Sequence, residues 1–198
     1  MAFLNALFTA ALDNNLVFAQ LIGMVSVILV AARPQDSWRF GAMIAIATAV
    51  AGALGWPLYA QVLQPWGVTF LAPLAYVLVS WTAIVVTATV LGSGKTAAER
   101  ERLLRVCPIV ACNAAVLAVA LGNAAVAETL TWDAALGTSV GAGLGVLLAV
   151  VLFAFVRGRI DERLVPAALR GLPITLVTAS LMALAFTGVA GIAGGLFA

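Results

Sequence analysis

Histidine is absent from this 198-residue chain, and charge is scarce: Asp, Glu, Lys and Arg together make up 9%. Without histidine, a His-ligated haem, a His-based zinc site and a Ser-His-Asp triad within the chain are excluded. Cysteine is nearly missing too. Cys107 and Cys112 are five apart on an expected helix, which separates their Cα atoms by roughly 8–9 Å and turns them about 140° out of line. That is beyond disulfide reach, and it makes a poor metal pair. Soluble domains carry about a quarter charged residues, so this composition excludes one. The net charge of +2 is no nucleic-acid signal, because the basic residues have a topological explanation.

What the chain has is apolar length. Hydrophobic residues make up 64% of it, in six segments: Phe3–Ala31, Trp38–Leu63, Trp66–Leu91, Leu104–Ala127, Trp132–Val156 and Gly171–Phe197. A bilayer-spanning helix needs about 20 apolar residues. The expected fold is therefore an all-α membrane protein of six transmembrane helices, one integral membrane domain over 1–198. All ten basic residues lie in three loops: Arg33 and Arg39; Lys95, Arg100, Arg102 and Arg105; Arg157, Arg159, Arg163 and Arg170. The other two loops and the termini have none. The positive-inside rule then predicts both termini outside and the three basic loops in the cytoplasm. The first segment lacks a basic start and is too long for a signal peptide, so it reads as a retained span. Trp38, Trp56, Tyr59, Trp66 and Trp132 fit an interfacial aromatic belt.

Polar residues inside the spans are the candidate site. Asp13, Asn14 and Asn15 fall near the middle of the long first segment, with Gln20 two helical turns beyond Asp13; Asn113 holds a similar depth in the fourth, shortly after Pro108. Asp and Asn in hydrocarbon are costly and face a cavity or another protein surface. They also weaken the helical ladder, so helices 1 and 4 are expected to be interrupted mid-membrane, which requires protein cover. Asn14 and Gly23 are nine apart, as are Asn113 and Gly122, with an offset of 99 between the pairs. Three spans per half make the halves opposite in orientation. The expectation is two inverted three-helix repeats, about 1–95 and 100–198, with an ion path at the midplane. Asp13 admits two roles: a carboxyl that exchanges a proton or joins Asn14, Asn15 and Gln20 in offering oxygens to Na⁺, or a cap on a half-helix starting at Asn14. The apolar helical run that follows favours the cap.

The run Asn14-Asn15-Leu16-Val17-Phe18-Ala19-Gln20-Leu21-Ile22-Gly23 resembles the first helix of the A-type component of Rnf electron transport complexes, equivalent to the E-type component of sodium-translocating quinone reductases. Cys107-Pro108-Ile109-Val110-Ala111-Cys112-Asn113-Ala114-Ala115-Val116-Leu117 is similar to that family's fourth helix. Gly141-Ala142-Gly143-Leu144-Gly145 is similar to its fifth, and Arg170-Gly171-Leu172-Pro173-Ile174 with Leu181–Phe186 to its sixth. The resemblance implies a bacterial inner-membrane subunit of a redox-driven ion-translocating complex. It implies a paralogous six-helix partner of opposite orientation, other membrane subunits, a cytoplasmic electron-carrier subunit, and a [2Fe–2S] cluster shared with the partner. Such a cluster needs four thiolates.

Here the chain departs from the family. The cluster-ligand positions are Val25 and Ala114, and neither side chain binds iron. Cys112 stands two residues from the second position, which is about 200° around a helix; it substitutes only if the backbone is irregular there. The expectation is that this chain by itself binds no cofactor. Three readings follow: a subunit of an Rnf-type complex with a rearranged electron path, an ion transporter or channel component, or a non-redox scaffold. Whole-chain resemblance favours the first. The small-residue run Gly137–Gly145 predicts close helix packing. Gly188–Gly195 suits contact with a partner helix. The basic loops, which also hold Glu99, Glu101, Asp161 and Glu162, read as topology determinants or a docking site for the electron carrier.

Overall fold

The computed structural model describes residues 2–31, 37–94, 96–101, 104, 110 and 113–189. Cys107, Pro108 and Cys112 lie outside the described residues, as do Arg33, Lys95, Arg102 and Arg105. All regular structure among the described residues is helical. Helix α1 (Ala2–Phe8) runs into a π turn at Thr9–Asp13, and α2 (Met24–Ala31) resumes after a break. Helix α3 (Ser37–Leu58) also ends in a π turn, Tyr59–Leu63. A 3₁₀ turn at Thr69–Leu71 leads into α4 (Ala72–Gly92), followed by α5 (Ala114–Ala125), α6 (Trp132–Gly158) and α7 (Leu172–Val189).

Three runs, Ser37–Leu63, Thr69–Val86 and Trp132–Gly158, are long and apolar enough to cross a membrane. The shorter apolar helices Ala2–Asp13, Ala114–Ala125 and Leu172–Gly188 fall in the first, fourth and sixth expected segments. The first is short because the chain breaks after Asp13. In α3 the irregularity follows Pro57, whose ring removes a backbone donor and crowds the preceding turn, so the ladder widens into the π turn. Helix α6 is the most regular. Thr131 Oγ1 accepts from Ala134 N at its start, with Asp133 in the first turn and Arg157 in the last; both charges complement the helix dipole.

Helix α6 is the axis of the packing, with α1 along one side and α3 along another. Glycine makes both approaches possible. A Cβ on Gly137, Gly141 or Gly145 would run into the carbonyl oxygens of Phe3, Leu7 or Ala11, and one on Gly143 would meet Ala45 O. These glycines repeat every fourth residue on the α1 side, one turn apart, so backbones touch where side chains would hold them apart. Helix α5 lies on α3 much as α1 lies on α6, and α4 and α7 flank this core more loosely. Leu78, Leu181 and Leu184 on these outer helices are exposed, as suits a lipid-facing surface. The interior is filled by Val17, Phe18, Ile44, Val116, Val150 and Phe153. Phe18 stacks on Phe186 of α7 with ring centroids 4.6 Å apart.

Of the aromatic belt, Trp38 and Trp66 are exposed, and Arg39 lies 5.6 Å over the Trp38 ring. Trp56 and Trp132 instead pack on each other, centroids 5.6 Å apart. That pair joins the end of α3 to the start of α6, which goes beyond simple anchoring.

Candidate functional site: two helix breaks and an amide-lined cavity

The first break is built by asparagine. Asn14 N donates to Thr9 O at 2.7 Å and closes the π turn. Asn15 is fully buried and uses both ends of its amide. Its Oδ1 accepts from Val17 N at 2.9 Å and Phe18 N at 3.2 Å. Its Nδ2 donates to Ala11 O at 2.9 Å and Gly145 O at 3.0 Å. One side chain thus caps the new turn, holds the end of the old helix and ties both to α6. Leu21 (φ 58°) and Gly23 (φ 78°) then redirect the chain into α2. A positive φ at leucine is strained, and the hydrogen bonds around it hold it there.

The second break sits against the first. Asn113 is extended (φ −68°, ψ 132°), and its Oδ1 accepts from Ala115 N at 2.8 Å, capping α5. A Cβ on Gly23 would come within 3.1 Å of both Asn113 Oδ1 and Ala115 Cβ. Glycine is therefore required there twice, for its φ and for the contact. Gly23 of the first segment thus lies against Asn113 of the fourth.

The polar residues expected to share an ion path divide into two groups. Asn15 and Asn113 are buried caps whose amides bond the protein. Asn14 and Gln20 border a cavity of about 590 Å³ between α1, α5 and the start of α6. Gln20 Nε2 donates to Asn14 Oδ1 at 3.0 Å and Asn14 O at 3.3 Å, closing the floor. Asp13 is the last residue of the π turn and is not among the cavity-lining residues. The oxygen that takes the N–H groups of Val17 and Phe18 belongs to Asn15. Nor do Asp13 and Gln20 share a helix face, because the ladder between them is broken.

Four further cavity residues were not anticipated: Asn5, Thr9, Asn123 and Thr138. Asn5 on α1 and Thr9 at the start of the π turn are four residues apart, a spacing that marks a polar stripe on an otherwise apolar run. Asn123 is buried, and its Nδ2 donates to Ser139 Oγ at 3.0 Å and Ala135 O at 3.3 Å. Polar residues inside apolar spans were the available signal.

Val25, at the start of α2, is 71% exposed, and Ala114, at the start of α5, is exposed as well. Each follows directly on one of the two touching breaks, so the two positions belong to one region, on the outside of the chain. Neither side chain offers a ligand atom to iron, so the residues at these positions do not fit a cluster. In the loop after α6, Arg157 pairs with Glu162 and donates from Nε to Thr175 Oγ1 at 3.0 Å. Arg170 Nε donates to Val165 O at 2.9 Å. This basic loop is folded on itself.

A helical membrane protein in which a broken first helix meets the Asn-capped start of α5 beside a polar cavity is the class these features define. The chain belongs to the family described as Rnf-Nqr subunit, membrane protein, which it matches over residues 3–193. It is 30% identical over 191 residues to the A-type component of the Na(+)-translocating ferredoxin:NAD(+) oxidoreductase complex of Acetobacterium woodii, covering 96% of this chain and 98% of that one. It is 35% identical over 182 residues to the A-type component of the ion-translocating oxidoreductase complex of Yersinia enterocolitica, covering 91% and 92%. A relative of the same description from Yersinia pestis matches to the same extent.

Proposed function

We propose that the chain is the A-type membrane component of a redox-driven, ion-translocating oxidoreductase complex in a bacterial inner membrane. The observation that carries this is the match over nearly the whole length to proteins of that description. We further read the fold as two inverted three-helix halves with both termini outside. Support comes from the reciprocal packing of α1 on α6 and α5 on α3, from the two Asn-capped breaks, and from the alternation of basic loops. The partner in this reading is a second six-helix subunit of opposite orientation, seated where Val25 and Ala114 are exposed. The folded basic loop after α6 is the docking surface for the cytoplasmic electron carrier.

This chain supplies no thiolate to an iron–sulfur cluster at that contact. Valine and alanine at the two positions support this, and ligation there would need thiols at both. The test is purification of the intact complex through a tag on this chain. The expected outcome is co-purification of further redox subunits, with an iron content unchanged by Cys107→Ser and Cys112→Ser. Loss of iron in either variant would refute the ligand reading. Isolation of the chain alone, with ion flux in liposomes and no redox partner, would refute the subunit reading.

A further inference from the structure

The cavity between α1, α5 and α6 has a chemical character that the subunit reading does not assign. Its polar lining consists of Asn5, Thr9, Asn14, Gln20, Asn123 and Thr138. All six are neutral, and among the described residues no Asp, Glu, Lys or Arg lines it. An anion would find no cation there. A divalent ion would lack the carboxylates that Ca²⁺ and Mg²⁺ sites employ.

The hydrogen bonds sharpen the point. Thr9 Oγ1 donates to Asn5 Oδ1 at 3.3 Å, and Thr138 Oγ1 donates to Ala134 O at 2.9 Å. A hydroxyl has one proton and two lone pairs, so what these two retain for the cavity is acceptor capacity. Asn123 and Gln20 likewise turn their N–H groups to the protein. Four of the six lining residues, Thr9, Gln20, Asn123 and Thr138, thus have donors engaged by the protein and oxygens left to accept.

Helix ends add to this field. The π turn that extends α1 stops at Asn14 on the cavity floor, and α5 stops at Val126, which also lines the cavity. Helix C-termini are the negative ends of their dipoles and favour cations. Half-helix C-termini of this kind are where transporters coordinate alkali ions. An acyl chain is a poor occupant, because amides facing hydrocarbon are costly.

We propose that this cavity is an outward-facing vestibule for a monovalent cation, Na⁺ as the reference ion, held by neutral amide and hydroxyl oxygens above the Asn14–Gln20 floor. It rests on the subunit reading only for which side is outside. The hydrated ion enters past Asn5 and Thr138 and sheds water at the break.

The test is thiol accessibility in the complex, in sealed right-side-out and inverted vesicles, on a Cys107→Ser/Cys112→Ser background. Thr138→Cys and Asn5→Cys probe the cavity, and Gln64→Cys, exposed in the outer loop after α3 and away from the cavity lining, is the control. Both cavity thiols should react from the outside with membrane-impermeant reagents. A cationic reagent should react roughly tenfold faster than an anionic one, since charge focusing concentrates ions of the favoured sign. NaCl should slow the reaction several-fold relative to choline chloride, with no effect at Gln64→Cys. Equal rates for both reagents without sodium protection would overturn the proposal, as would absence of outside labelling in both variants. The labelling needs no turnover, so it stands apart from failure of the redox reading, which co-purification decides.

Discussion

Replacing Asn15 by alanine should be the most damaging single polar truncation near the break. The substitution removes the acceptor for Val17 N and Phe18 N and the donor to Ala11 O and Gly145 O. Val17 and Phe18 are 0% and 1% exposed, so water cannot replace the lost partner. Each buried, unsatisfied backbone group costs about 1–3 kcal/mol, whereas polar contacts in bilayer proteins average about 0.6 kcal/mol because the unfolded segment also finds partners. With four bonds broken, Asn15→Ala should cost about 2–4 kcal/mol between these bounds. The assay is unfolding in mixed micelles as the denaturing detergent fraction rises, followed by tryptophan fluorescence. Asn15→Asp keeps the cap but sets a carboxylate oxygen against the Ala11 and Gly145 carbonyls, so it should not restore stability. A loss below about 0.5 kcal/mol for Asn15→Ala, within the range of an ordinary surface change, would refute the argument that this amide organises the break.

Gly141→Val should force α1 off α6, because a Cβ there meets the Leu7 backbone; a cost of about 1–3 kcal/mol or more is expected from overpacking, read by the same titration. Tyr76→Phe should be neutral or stabilising by up to about 1 kcal/mol, since the Tyr76 hydroxyl is buried without a hydrogen-bond partner among the described residues. A clear loss would instead point to a bound water or a partner group on that oxygen. Asp13→Asn should leave coupled ion transport intact in reconstituted complex, because the cavity is lined by neutral groups and Asp13 is not one of them. Loss of coupling with electron transfer retained would restore the acid as the ion carrier.

The helices were legible because their signals are local. Apolar runs of about 20 residues mark spans wherever they occur, and observed helices such as α3, α4 and α6 begin or end within a few residues of the expected ones. The breaks were legible for the same reason: Asn14, Asn15 and Asn113 interrupt sequences that otherwise favour a continuous ladder. The glycines of α6 announced a close approach, though not the partner. That one row meets α1 carbonyls while Gly143 meets α3 depends on how three helices are arranged.

Sequence alone thus determined the membrane class, the positions of the apolar helices and the family, since these follow from composition, residue order and matching along the chain. Tertiary structure alone decided what each polar residue does. Asn14 and Asn15 are neighbours with the same side chain, yet one borders a cavity and the other is a buried cap. The physical reason is that a side chain's direction after a helix break depends on where the chain turns next. That turn is set by contacts with Ala11, Gly145 and Asn113, two of them about a hundred or more residues away in the chain.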